Sequence, residues 1–256
     1  MGLCTIVGIE GSFSRRLGAQ LAVHPDGRII GSLADGCLEK QLASEIAAAT
    51  GPVVKRFGAG SELIDFRLPC GSGLDVLIDP APDHDACRAA VERLERREET
   101  VLALPRGMRE RRYIPGLRLH LFGEGPELEA LRALAGAAGI EVSAHGKDAL
   151  SLGQRPESLS ADRWTALVLL FHDHEWEQPI LQWALSTEAF HIGAQGGFEA
   201  RRRRIEALAD GGVPPEQLGR VRSPVGVFTH SREPGVLALS VLAEVVGEYE
   251  QLHPHG

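Results

Sequence analysis

Short β-like runs of apolar residues occupy 4–9, 19–24, 29–32, 53–57 and 74–78, and they predict five strands in the first third of the chain. Between them the spacing changes. Leu38, Leu42, Ala43 and Ile46 recur at helical intervals, as do Cys87, Ala90, Val91 and Leu94, so this part is expected to be α+β. Pro25-Asp26-Gly27-Arg28 predicts a hairpin turn, because proline presets the backbone and glycine accepts positive φ. After Pro115-Gly116 the pattern becomes strand (117–122), glycine turn, helix (126–138), strand (140–144), strand (166–171) and helix (175–185). That alternation predicts a parallel sheet with crossover helices. A strand over 189–193 and helices over 198–209 and 234–251 complete it. Pro234 suits the first turn of the last helix, and Leu237, Val241, Leu242 and Val245 give it an apolar stripe.

Charges dominate from Glu92 to Arg112, interrupted only by the apolar run 101–104, and the domain boundary is placed there. The expected organisation is α/β: an N-terminal α+β domain over 1–98, a linker over 99–116, and a C-terminal Rossmann-like domain with a mostly parallel sheet over 117–256.

Composition narrows the function. At 256 residues and 43% hydrophobic, the chain can bury one or two cores. No stretch reaches the roughly 18 to 20 consecutive apolar residues of a membrane span, and Met1-Gly2-Leu3-Cys4 opens no basic-then-apolar leader, so a cytoplasmic location without membrane partners is expected. The net charge of −8 argues against a nucleic-acid partner. Four cysteines without a CxxC pair read as reduced thiols.

Two of those thiols sit in glycine-rich turns. Cys37 follows Asp35-Gly36 at the expected start of a helix, where the helix dipole and amides stabilise a thiolate; the competing reading is a small residue filling a turn. Cys70, beside Gly71 and Gly73, precedes a strand in a loop whose amides could cradle an anion, or it is incidental to a turn. Cys4 and Cys87 fall on apolar positions and read as core. Gly11-Ser12-Phe13-Ser14-Arg15-Arg16-Leu17-Gly18 follows a strand and gathers hydroxyls, guanidinium groups and glycines suited to a phosphate or carboxylate, with a solvated loop as the alternative.

The second half has its own candidates. Gly123-Glu124-Gly125-Pro126 lies between a strand and a helix, the context of a dinucleotide turn. Glu124 and Glu127 put negative charge there, Leu128 replaces the third small residue, and the second strand ends at Ala144-His145 without a ribose-binding carboxylate, so NAD(P) is disfavoured. His172-Asp173-His174 ends a parallel strand, where metal or proton chemistry can sit, although an extended chain would point the two histidines to opposite faces. Arg201 to Arg204 read as a solvated basic face or a partner surface.

Together these residues resemble the XdhC/CoxI family, accessory proteins for xanthine dehydrogenase and related molybdenum hydroxylases. The first half carries it through Thr5-Ile6-Val7-Gly8-Ile9-Glu10-Gly11-Ser12, Arg15-Arg16-Leu17-Gly18, Gly31-Ser32-Leu33-Ala34-Asp35-Gly36-Cys37-Leu38-Glu39 and Cys70-Gly71-Ser72-Gly73. The second half adds Phe122-Gly123-Glu124-Gly125, His172-Asp173-His174, His191-Ile192-Gly193-Ala194 and Ser223-Pro224-Val225-Gly226. The resemblance implies a cytoplasmic, homodimeric chaperone that binds molybdenum cofactor (molybdopterin), assists its sulfuration with a cysteine desulfurase, and delivers it to a xanthine dehydrogenase-type client. It implies that Cys37 and Cys70 contact molybdenum or handle sulfur, and that Ser12, Ser14, Arg15, Arg16, Gly36, Gly71, Gly123, Gly125, His172 and His174 bind cofactor. Two alternatives from the residues stand beside it: an NAD(P)-dependent oxidoreductase using the Gly123 turn, and a metal-dependent hydrolase using His172 and His174.

Overall fold

The computed structural model describes the chain apart from residues 35, 62–70, 106–109, 157, 229–230 and 254–256. It divides into two compact units, Met1–Ile114 and Pro115–His253. Among the described residues no helix is long and apolar enough to cross a membrane.

The first unit is built on an antiparallel sheet of β1 (Gly2–Glu10), β2 (Gln20–Val23), β3 (Ile29–Ile30), β4 (Val53–Gly58) and β5 (Gly73–Asp79), in the order β3-β2-β1-β5-β4. Alternation turns Cys4 and Ile6 of β1 and Leu74, Val76 and Ile78 of β5 into one core with Leu38 and Leu42 of α1 (Cys37–Ala48). Helix α2 (His84–Glu95) follows β5. Glu10 pairs with Gly73, Thr5 with Gln20 and Ala22 with Ile30. That register carries the loop 11–19, residues 31–34 and residues 71–72 to one end of the sheet. Within the stretch expected to link two domains, β6 (Thr100–Leu102) and β7 (Arg111–Tyr113) form an antiparallel ladder.

The second unit carries the predicted parallel sheet. Strands β8 (Arg118–Gly123), β9 (Glu141–His145), β10 (Thr165–Leu170), β11 (His191–Ala194) and β12 (Val221–Arg222) run in the order β12-β11-β10-β8-β9, every pair parallel. Helices α3 (Pro126–Ala137), α4 (Glu177–Leu185), α5 (Phe198–Asp210), α6 (Pro215–Leu218) and α7 (Pro234–Gln251) make the connections and the closing element. Every residue of β10 is buried, as a central strand covered on both faces requires. Its Ala166, Val168 and Leu170 meet Leu131 of α3 and Val241 of α7, while Leu167 and Leu169 meet Leu181 of α4 and Leu208 of α5. The strand order reverses between β8 and β10, which places a crevice at their carboxyl ends.

Candidate functional site

At the common end of the first sheet, two hydrogen bonds join three of the sequence motifs. The Arg15 guanidinium donates from Nε to the Ser32 carbonyl at 3.1 Å, so the loop 11–19 is bound to the segment that leads into Cys37. The Ser72 hydroxyl donates to the Ser12 carbonyl, so the Gly71-Ser72-Gly73 segment is bound to the same loop. Ser12, Ser14 and Arg15 are exposed, as is Gly71. Cys37 is the first residue of α1, exposed and not in a disulfide, behind Gly36 at a φ of 100° that glycine tolerates best. Cys70 and Asp35 lie outside the described residues. Buried Cys4 differs from Cys37: burial pushes its thiol up to about 12 and keeps it protonated.

Glu39, two residues beyond Cys37, holds this turn. Its Oε1 accepts from Leu33 N–H at 2.9 Å, Ala34 N–H at 2.7 Å and the Ser32 hydroxyl at 3.2 Å, while Oε2 accepts from Gly36 N–H at 2.7 Å. Burial favours the neutral acid, but the amides of Ala34, Gly36 and Leu33 outweigh it and hold the carboxyl below its ordinary range. The Leu33, Ala34 and Gly36 amides ahead of Cys37 are therefore taken by the protein's own carboxylate. The signal was legible, since an acid at the third helical position commonly reaches back to the cap.

Arg111 is a second residue the pattern hid, because it lies in a charged run. It is only 8% exposed, and its guanidinium carbon lies 5.3 Å from the Tyr113 ring centroid. A Cβ at Gly18 would fall 2.3 Å from that carbon, so glycine is what lets the guanidinium lie against the backbone of the loop 11–19. Burial, assisted by nearby Arg16, holds its proton affinity down despite the neighbouring Tyr113.

The reversal point of the parallel sheet is acidic. Gly123 ends β8 opposite Leu170, and Gly125 caps α3. Glu124 accepts from Lys147 N–H at 3.3 Å, and Glu127 Oε2 is 3.7 Å from His172 Nε2. A pyrophosphate at this helix start would face both carboxylates. His172 and His174 go to different partners: His174 Nδ1 is 3.0 Å from Glu177 Oε2. The chain does turn here, into a short 3-10 segment at His174–Trp176. Among the described residues no three His, Cys, Asp or Glu side chains gather to hold a metal.

Residues 1–58 match the XdhC and CoxI family, and residues 119–245 match the XdhC Rossmann domain. The molybdenum cofactor insertion chaperone PaoD of Escherichia coli (strain K12) is 34% identical over 95% of this chain and 81% of its own length. The chain belongs to the XdhC and CoxI family. A probable xanthine dehydrogenase subunit from Bacillus subtilis (strain 168) is 25% identical, covering 95% of this chain and 92% of that protein. A crystal structure of a xanthine dehydrogenase from Bacillus halodurans superposes with a TM-score of 0.75 over 99% of this chain and 92% of that one; at 20% identity the likeness is one of fold.

The second domain of this XdhC and CoxI family member corrects one expectation. Of Arg201 to Arg204, Arg202 and Arg203 are exposed as a solvated face requires, but Arg204 is not part of that face and Arg201 is only partly exposed. Arg204 is buried and forks onto Glu177, with Nε and Nη2 each 2.9 Å from a carboxylate oxygen, and also donates to the Ser223 hydroxyl at 2.6 Å and the Gln195 carbonyl at 2.8 Å. Arg201 donates to the Ser223 carbonyl at 2.9 Å, while exposed Arg202 pairs with Glu199 and Glu206. Nothing local in the sequence marks Arg204, whose partner is 27 residues away.

Beside the end of β9, His120 Nδ1 and His145 Nε2 lie 3.0 Å apart. Burial, then the neighbouring His145 and Arg118, pulls His120 down to about 4. An unfolded histidine titrates near 6.5, so the unfolded chain takes up a proton first as pH falls. The contribution of a neutral His120 is present in full above about pH 6.5, shrinks on acidification, and is gone once pH passes below the folded value. Thermal melts of the wild type and His120→Gln between pH 7 and 4 should show the wild type losing more of its Tm; parallel curves would refute the assignment.

Proposed function

We propose that this chain is a maturation chaperone that holds molybdenum cofactor and passes it to a xanthine dehydrogenase-type hydroxylase. The single observation that carries the reading is the joining of the Arg15 loop, the Cys37 turn and the Gly71-Ser72-Gly73 segment at one end of the first sheet. The kinship with an insertion chaperone supports it. A phosphorylated pterin with a sulfur-bound metal needs guanidinium and hydroxyl donors at one end and a soft ligand at the other. Arg15, Arg16, Ser12 and Ser14 serve the anionic end. Cys37, with Cys70, serves the metal end, while Gly36 and Gly71 keep the approach open. A cysteine desulfurase supplies sulfur to the bound cofactor, and the protein works as a homodimer.

The Rossmann-like domain enters this reading as a scaffold and client-facing surface. Gly123, Gly125, His172 and His174 are its candidate cofactor contacts, but the Glu124 and Glu127 carboxylates beside the Gly123 turn argue against NAD(P).

Protein purified from a molybdopterin-producing host should carry pterin, released and read as its fluorescent oxidation product. Cys37→Ala, Cys70→Ala and Arg15→Ala should each weaken cofactor affinity about tenfold, the loss of one contact of about 1.4 kcal/mol. If neither native nor reconstituted protein retains pterin, the reading fails.

A further inference from the structure

We propose that Arg111 is an anion anchor that binds a phosphomonoester against the loop 11–19. The residue is more than nine-tenths buried, yet its Nε and Nη1 have no hydrogen-bond partner. Among the described residues no carboxylate forms an ion pair with it. A guanidinium stays charged in proteins, so burial cannot be relieved by losing a proton. An uncompensated buried cation is among the costliest arrangements a fold can hold.

The same chain shows what a structural arginine looks like. Arg204, equally buried, is saturated by the Glu177 carboxylate, the Ser223 hydroxyl and the Gln195 carbonyl. Arg111 instead has the neutral Tyr113 side chain, ring and hydroxyl, and the bare backbone of Gly18 beside it, and a second cation, Arg16, close enough to be felt. Two cations next to unfilled donors, on a loop that carries the Ser12 and Ser14 hydroxyls, suit an oxyanion with two charges and several acceptor oxygens. A phosphomonoester has both. This deepens the cofactor reading and rests on it only for whose phosphate is bound; the anchor itself stands on the geometry around Arg111.

Inorganic phosphate is the first probe, applied to the full chain. In phosphate-free buffer Arg111→Met should melt at or above the wild type, because an unpaired buried charge is removed. Added phosphate should raise the wild-type Tm saturably and leave that of Arg111→Met unmoved. Arg111→Lys, which keeps the charge without the fork, should bind phosphate at least about tenfold more weakly than the wild type. A wild type indifferent to phosphate, an equal shift in Arg111→Met, or an Arg111→Met protein that melts lower in both buffers would each overturn the anchor. The pterin assay separates the two readings. Pterin retained equally by wild type and Arg111→Met removes the anchor and leaves the chaperone; a phosphate response that needs Arg111, without any pterin on the wild type, does the reverse.

Discussion

Arg204→Met alone should destabilise the second unit by about 3–5 kcal/mol, whereas Arg204→Met combined with Glu177→Leu should recover most of that loss. The reason is the asymmetry of buried ion pairs. Both side chains are 3% exposed, and removing the arginine strands a carboxylate in the interior with His174 as its remaining polar partner among the described residues. Removing both partners leaves a hole that apolar atoms can fill. The loss should exceed that for a surface pair such as Arg202 and Glu199, expected at about 0–1 kcal/mol. Urea denaturation of the two single variants and the double variant forms the cycle. A cost below about 1 kcal/mol for Arg204→Met, or simple additivity in the double variant, would show that the network does not organise this edge.

Glu39→Gln should cost about 2–4 kcal/mol and should loosen the turn ahead of Cys37 before it affects anything else. One carboxylate serves four donors there, and the Leu33 amide it satisfies is buried. Glutamine retains one acceptor oxygen and turns an NH2 toward amides that can only donate. The carboxyl is held below its ordinary range, so its contribution is complete above about pH 4.3 and disappears as pH falls through the lower folded value. Amide hydrogen exchange gives the check. Leu33, Ala34 and Gly36 should exchange much faster in Glu39→Gln while β1 and β5 keep their protection; unchanged exchange at those three amides would dismiss the role.

The parts of the fold that were legible share a cause. β10 was readable because six residues buried on both faces need an unbroken apolar run, and α7 because Pro234 marks its first turn. The turn at His174 was legible only as a condition, since extended geometry would have separated His172 from His174. What the sequence concealed depends on distant partners. Arg204 looks like its solvated neighbour Arg202 until Glu177 is brought across to α5, and Arg111 looks like a linker charge until β7 pairs with β6. At the candidate site the motifs themselves were visible, whereas the capping role of Glu39 went unread although an acid at the third helical position signals it. The joining of the motifs was not visible, because Arg15 meets Ser32 across 17 residues and Ser72 meets Ser12 across 60.

The four hydrogen bonds of Glu39 bear on binding thermodynamics as well as on stability. A turn already fixed in the absence of ligand has little conformational freedom left to surrender when one arrives, so the entropy opposing association falls mainly on the incoming molecule. If the proposed site at the Cys37 turn takes its ligand there, binding should proceed with little change in backbone disorder on the protein side. Release to a client would not require the chaperone to refold between rounds.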